Sequence, residues 1–254
     1  MMTFDYEKYY QPKPPERGWD GERSSRWIQL NAVVKVDHVV RLFKRTGAGA
    51  ERFSVLEVGC GDGHVLAELA RRGFGPELVG AEVSATAARM ARDHAEITRV
   101  VTFDGNRLPF PDSSFPLVIA THVLEHVTHP LALLQEMRRV ATSFVVIEVP
   151  LERNLAARRP RAIALSRQVG HVQRFSRSDV RQLITDAGLS TVSDLTDPLP
   201  RRLRAFHDGG VRGTTKWAVR YALVRLPKGE RLMTVHYAVL AAKRGISESP
   251  APTR

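Results

Sequence analysis

The segment Val55–His64, VLEVGCGDGH, constrains this 254-residue chain more than any other stretch. A short apolar run ends in glycines at 59, 61 and 63, and HVLAELARR (64–72) then takes a helical pattern closed by Gly73. A strand that passes through a tight glycine turn straight into a helix returns over its own sheet, so the next strand runs parallel. The alternation continues. ELVGAEVS (77–84), RVVTF (99–103), FPLVIATHV (115–123) and SFVVIEVP (143–150) read as further buried strands. ATAARMARDHAE and PLALLQEMRRVA read as the helices between them. Strands interleaved with helices predict a parallel sheet covered on both faces.

The flanks are less patterned. Residues 1–23 mix Pro, Gly, aromatics and charges and read as an arm, with Tyr9, Tyr10 and Trp19 as a candidate aromatic lid. A helix is predicted over 24–45, from the recurrence of Trp27, Leu30, Val34, Val40 and Phe43. Residues 151–175 are basic and aperiodic. A helix follows over 178–187, with Ser176 and Asp179 spaced for a capping box and Gly188 as the stop. LSTVSDL (189–195) is a sixth strand, MTVHYAVLAAKR (233–244) a long last one, and SESPAPTR a disordered tail. Between them lie a Pro- and Arg-rich insertion and the amphipathic candidate helix TKWAVRYALVR, whose Trp217 and Tyr221 suit the core or a dimer contact. The organisation predicted is an arm and helix (1–50), a ligand-binding core (51–150), a basic segment completing the sheet (151–245) and the tail (246–254).

Charge is unevenly spread. The chain's net +11 lies wholly in residues 151–254, which hold 20 Lys/Arg against 8 Asp/Glu. Seven arginines and no acid fall between Arg153 and Ser178. Such a face suits an anionic small molecule, a nucleic acid or a membrane surface, or is only a solvated exterior. The aromatic-basic interleaving of recognised RNA modules is missing, which argues against nucleic acid. No apolar run approaches the ~20 residues of a bilayer span, and the N-terminus has no secretory h-region. The single cysteine, Cys60, excludes an internal disulfide and a Cys-rich zinc site. A cytoplasmic protein is expected.

Three strand tips carry the chemistry. The Gly59–Gly63 turn lets a ligand approach backbone just before a helix N-terminus. A dinucleotide-binding turn would want a glycine where His64 stands, so a nucleoside without a pyrophosphate fits better. Glu82 ends the second strand, where a carboxylate can accept from both ribose hydroxyls. Asp104, after the third strand, can accept from an exocyclic adenine amine. Taken singly, each is also explained as strand punctuation or a solvated loop acid.

As an ordered set, LEVGCGDG, GAEVS and FDGNRLPFPDSSFPLVIATHVLEHV resemble the class I S-adenosylmethionine-dependent methyltransferases over about residues 53–150. LPFPDSSFPLV running into HVLEHV, and GHVQRFSRSDVRQLITDAGL (170–189), are similar to the subgroup acting on small molecules, quinones and related lipids. The resemblance implies a three-layer Rossmann-like sandwich, with a mostly parallel seven-stranded sheet and an antiparallel last strand. It implies that Glu57, Gly59, Cys60, Gly61, Gly63 and His64 hold the methionine part of S-adenosylmethionine. Glu82 and Val83 then meet the ribose, Asp104 and Gly105 the adenine, and Thr121 and His122 the sulfonium side.

One string points elsewhere. His122, Glu125 and His126 have the H-x-x-E-H spacing of a class of zinc peptidases. That chemistry needs one helix face, whereas FPLVIATHV is a strand signature that puts His122 at a strand tip. Zinc is therefore not expected, and a magnesium ion would have only Asp104, Glu125 and Asp112 to draw on. His126 and His171 are candidate general bases for an acceptor hydroxyl. His129 reads as a solvated helix start.

The expectation is methyl transfer to a small-molecule hydroxyl such as a sugar, polyketide or phenol. An RNA methyltransferase, a carbon-methylating quinone enzyme and a non-catalytic cofactor-binding partner are the alternatives.

Overall fold

The computed structural model describes residues 6–10, 21–47, 53–198, 200–233 and 235–243. Its order is α1 (Tyr6–Tyr9), α2 (Gly21–Lys44), β1 (Val55–Val58), α3 (His64–Arg71), β2 (Leu78–Glu82), α4 (Ala85–Arg92), β3 (Arg99–Thr102) and β4 (Phe115–Thr121). There follow α5 (Pro130–Val140), β5 (Ala141–Leu151), α6 (Pro160–Gln168), α7 (Arg177–Asp186), β6 (Leu189–Asp197), α8 (Arg201–Asp208), α9 (Gly210–Arg225) and β7 (Val235–Lys243).

The strands form one seven-stranded sheet in the order β3-β2-β1-β4-β5-β7-β6. The pairs β1–β2, β1–β4, β2–β3 and β4–β5 are parallel, whereas β7 lies antiparallel between β5 and β6. This is a Rossmann-like sandwich with an N-terminal helical arm.

Because side chains alternate across a strand, neighbouring residues feed opposite cores. Leu56, Val118 and Ala120 pack with Leu134, Met137 and Val140 of α5 and Val180 and Ile184 of α7. Val55, Leu117 and Ile119 pack on the other face with Val36, Val39, Leu42 and Phe43 of α2 and Leu66 and Leu69 of α3. The strands are apolar at consecutive positions because both faces are covered.

Local chemistry sets the helix ends. Ser84 caps α4 by accepting from the Ala87 N–H at 3.1 Å. Ser176 and Asp179 form the reciprocal capping box of α7, and Gly188, at φ 76°, ends that turn. Two helices depart from the predicted loops. Pro160 starts α6, where its missing N–H costs nothing. Residues 201–225 form a helical pair rather than an insertion followed by one helix. A Cβ on Gly213 would lie 2.2 Å from the Arg204 carbonyl oxygen, so only glycine lets α8 and α9 approach so closely. Trp217 and Tyr221 stack on each other at 4.9 Å and stay partly exposed, so the core expectation for them does not hold. The expected disordered tail lies outside the described residues.

Candidate active site

All three glycines after β1 take left-handed backbone, with φ 70° at Gly59, 54° at Gly61 and 85° at Gly63. Side chains there would also collide. A Cβ would fall 2.6 Å from Val123 at Gly59 and 2.6 Å from the Tyr10 hydroxyl at Gly61. Glu82, at the tip of β2, ties the turn to its own strand. It accepts from the Gly61 N–H at 2.8 Å, Val83 N–H at 2.9 Å and Ser84 N–H at 3.0 Å. Burial raises its pKa against the pull of those donors.

Glu57 lies beneath the turn, fully buried. Its Oε1 sits 3.4 Å from the Thr121 hydroxyl, while Oε2 has no hydrogen-bond partner among the described residues. Burial pushes its pKa up to about 8, with Lys35 opposing. A buried carboxylate oxygen with no donor is costly, so this site suits a ligand that brings an N–H or a cation. Cys60 turns its side chain under the sheet, where a Cβ on Gly80 would lie 2.6 Å from the sulfur. Burial drives the thiol's pKa up, so it is a packing group and offers a ligand only its backbone.

The outer residues are looser. His64 faces Asp62 at 2.9 Å and the ring of His94 at 5.2 Å. Val83 is exposed beside Gly105, whose added Cβ would lie 3.5 Å from it. Asp104 is exposed, and its Oδ1 accepts from the N–H groups of Asn106 and Arg107 at 2.9 and 3.1 Å. It thus holds its own turn.

At the tip of β4 the chain turns sharply. His122 takes φ 60°, and Leu124–His126 form a single 3-10 turn. The peptidase-like string is therefore not a helix face, as its strand context predicted. Nor do Asp104, Asp112 and Glu125 meet, since Asp112 pairs with Arg139 at the surface and Glu125 is fully buried. His122 instead faces Glu125 at 3.0 Å through Nδ1, and His236 and Glu148 through Nε2.

The two candidate bases come together although 45 residues separate them in sequence. The rings of His126 and His171 are edge to face at 4.8 Å. His126 Nδ1 lies 3.2 Å from the Gly170 carbonyl, which can only accept, so that nitrogen carries the proton. Burial lowers the pKa of His126 despite the charge of Glu125, which keeps it neutral. His171 Nδ1 lies 3.0 Å from Glu152 Oε2, which also accepts from the Ser166 hydroxyl. That carboxylate fixes the tautomer of His171 and leaves Nε2 with the lone pair. Glu152 and Ser166 were not singled out in the sequence, where both sit in the aperiodic basic segment.

The arm closes over this region. The Tyr6 hydroxyl donates to the His126 carbonyl at 3.0 Å, and burial, then Glu125 and Glu82, push its pKa up to about 12. Glu7 accepts from the first N–H groups of α4, at Ala85 and Thr86. Of the predicted lid, Tyr10 covers Gly61, while the Tyr9 side chain and Trp19 lie outside the described residues. Beyond β5, a cavity of about 790 Å³ is lined by Arg153, Arg158, Arg177, Arg181 and Arg231.

The sequence model of a family described as "Methyltransferase domain" matches residues 26–194. An uncharacterized methyltransferase of Mycolicibacterium gilvum is 30% identical over 121 residues, 48% of this chain and 47% of that protein. The ubiquinone biosynthesis O-methyltransferase of Actinobacillus pleuropneumoniae is 27% identical over 129 residues, 47% of this chain and 53% of that one. The chain thus spans about half the length of the curated relatives it matches. In fold it is similar to magnesium protoporphyrin IX methyltransferase from Synechocystis with bound S-adenosylhomocysteine, with TM-score 0.56 and 14% identity over 93% of this chain and 92% of that one. Among the described residues no helix is long and apolar enough to cross a membrane.

Proposed function

The chain belongs to the methyltransferase domain family, and we propose that it carries a methyl group from S-adenosylmethionine to a hydroxyl of a small, anionic acceptor. The observation that carries this reading is the glycine cradle over an orphaned buried carboxylate; a Glu152–His171 dyad, whose imidazole packs on His126 just after β4, offers a base. When bound, S-adenosylmethionine supplies an already activated methyl group, so the protein's task is alignment, exclusion of water and one proton transfer.

Each residue then has a role. Glu57 Oε2 accepts from the ammonium of the methionine part, and the 59–63 backbone leaves room for it. Glu82 turns its remaining lone pairs to the ribose, and Val83 with Gly105 flanks the base. Tyr6 and Tyr10 exclude water from above. His171 Nε2 takes the acceptor's hydroxyl proton, and Glu152 stabilises the resulting imidazolium. Neutral His126 stands against it, where a second positive charge would oppose that transfer. The arginine cavity after β5 suits an anionic end on the acceptor.

Calorimetry with S-adenosylhomocysteine tests the first half, and a labelled-methyl assay across phenolic, sugar and polyketide hydroxyls tests the second. Absence of cofactor binding by the folded chain would sink the whole reading. Turnover undiminished in His171→Ala would sink the dyad's role.

A further inference from the structure

Glu148, near the tip of β5, is 1% exposed, and three imidazoles converge on it. His236 Nδ1 lies 2.9 Å from its Oε1, and His122 Nε2 lies 3.4 Å from the same oxygen. The two ring nitrogens are 3.3 Å apart. We propose that His122, Glu148 and His236 bind one divalent transition-metal ion of the Zn²⁺ or Fe²⁺ class. The inference goes beyond the methyl-transfer reading and does not rest on it.

The triangle has the dimensions of one face of a coordination polyhedron. Metal–nitrogen and metal–oxygen bonds of about 2.0–2.2 Å place adjacent ligand atoms about 3.0–3.4 Å apart in octahedral or tetrahedral geometry. The observed edges of 2.9, 3.3 and 3.4 Å match it. Two histidines and one carboxylate are a set that such ions use while leaving positions open.

Hydrogen bonds account for two edges of this triangle, with His236 Nδ1–H and a protonated His122 Nε2 each facing Glu148 Oε1, but not for the 3.3 Å edge between the two ring nitrogens. If His236 Nδ1–H points at Glu148, that nitrogen has no lone pair left for His122 Nε2. His122 cannot accept that same proton, because it is already directed at the carboxylate. A cation at the centre satisfies all three atoms at once.

The surroundings are those of a metal's outer shell. His122 Nδ1 faces Glu125 at 3.0 Å, which puts a carboxylate beside a ligand histidine as metal sites commonly have. Among the described residues neither oxygen of fully buried Glu125 has an aligned hydrogen-bond donor. His38 Nδ1 lies 2.9 Å from the other oxygen of Glu148, and its Nε2 lies 3.3 Å from Asp197. With both nitrogens against carboxylates, His38 serves to orient Glu148. The three ligands stand at the tips of adjacent strands β4, β5 and β7, which gives them little freedom to drift. His122 and His236 are 22% and 14% exposed, so solvent touches both side chains.

The test uses the full chain, freed of metal by chelator and titrated with Co²⁺, whose visible absorption reports nitrogen and oxygen ligation. We expect one Co²⁺ per chain, displaceable by Zn²⁺. Affinity should fall more than tenfold in His236→Ala and about 10–100-fold in the outer-shell variant Glu125→Gln. In the unmodified chain, Co²⁺ should shift the imidazole proton resonances of His122 and His236. The proposal is overturned if the folded chain binds neither ion, or if His236→Ala binds as the unmodified chain does. It is equally overturned if binding is lost in His171→Ala and kept in His236→Ala, because the ion then belongs to Glu125, His126 and His171. S-adenosylhomocysteine calorimetry on the same samples shows separately whether the cofactor reading stands.

Discussion

Replacing Glu57 by glutamine changes one atom at a site where burial does most of the work. An ordinary glutamate titrates at 4.5, whereas Glu57 is pushed up to about 8, chiefly by desolvation. At about 1.36 kcal/mol per pH unit, the gap corresponds to roughly 5 kcal/mol. The sign follows from which state holds the proton. Below pH 4.5 both folded and unfolded chains are protonated and the group is neutral to stability. As pH rises from 4.5 towards 8 the unfolded chain ionises and the folded one does not, so stability falls across that window. Glu57→Gln removes the penalty but leaves an amide to satisfy, at about 1–3 kcal/mol. The variant is therefore expected to be more stable than the parent by about 2–4 kcal/mol at pH 8, and no more stable at pH 4.5. Thermal melts at the two pH values measure this. Binding should respond in the opposite sense. If the ligand's ammonium requires ionised Glu57, the dissociation constant for S-adenosylhomocysteine falls about tenfold per pH unit between 6 and 8 in the parent. It stays flat in the variant, at weaker affinity. Equal, pH-independent binding by both would refute the pairing of Glu57 with an ammonium.

Other changes test neighbouring parts of the argument. Gly61→Ala places a Cβ 2.6 Å from the Tyr10 hydroxyl at a left-handed position, so S-adenosylhomocysteine binding in calorimetry should weaken at least tenfold while the circular dichroism is kept. In steady-state assays His171→Ala should lower kcat about 10²–10⁴-fold, and Glu152→Gln should lower it less, each with KM within a few-fold of the parent. Phe43→Ala opens the packing of α2 against Phe53 and Phe144 and should cost about 3–5 kcal/mol in denaturant unfolding.

Much of the core was legible because a doubly covered parallel strand has to be apolar at consecutive positions. VLEV, LVGAE and FPLVIAT carry that mark, and the glycines after the first strand fixed the turn. Ser176 and Asp179 announced α7 because a capping box is a local code. The helices α6 and α8 gave no such signal. Among the described side chains each buries a single residue, Ser166 and Leu203, so there is almost no apolar period to find. The histidines show the same divide. Pattern could place His122 at a strand tip, but its partners lie on β5 and β7, at separations of 26 and 114 residues that only the sheet order brings together.

The antiparallel placement of β7 has a temporal side. The ribosome delivers the chain from its N-terminus, and this strand comes near the end of the sequence, yet it lies between β5 and β6. Until residue 235 has emerged, β5 and β6 each face an open ladder, and Glu148 is without His236. A nascent chain that already carries its glycine turn and Glu82 therefore still exposes one edge of β5 and a wholly unpaired β6, the condition most prone to wrong association. A ribosome-stalled chain ending before Val235 should be protease-sensitive in β5 and β6 while β1–β3 are already protected. The inner edge of the sheet, and every residue that meets across it, is completed last.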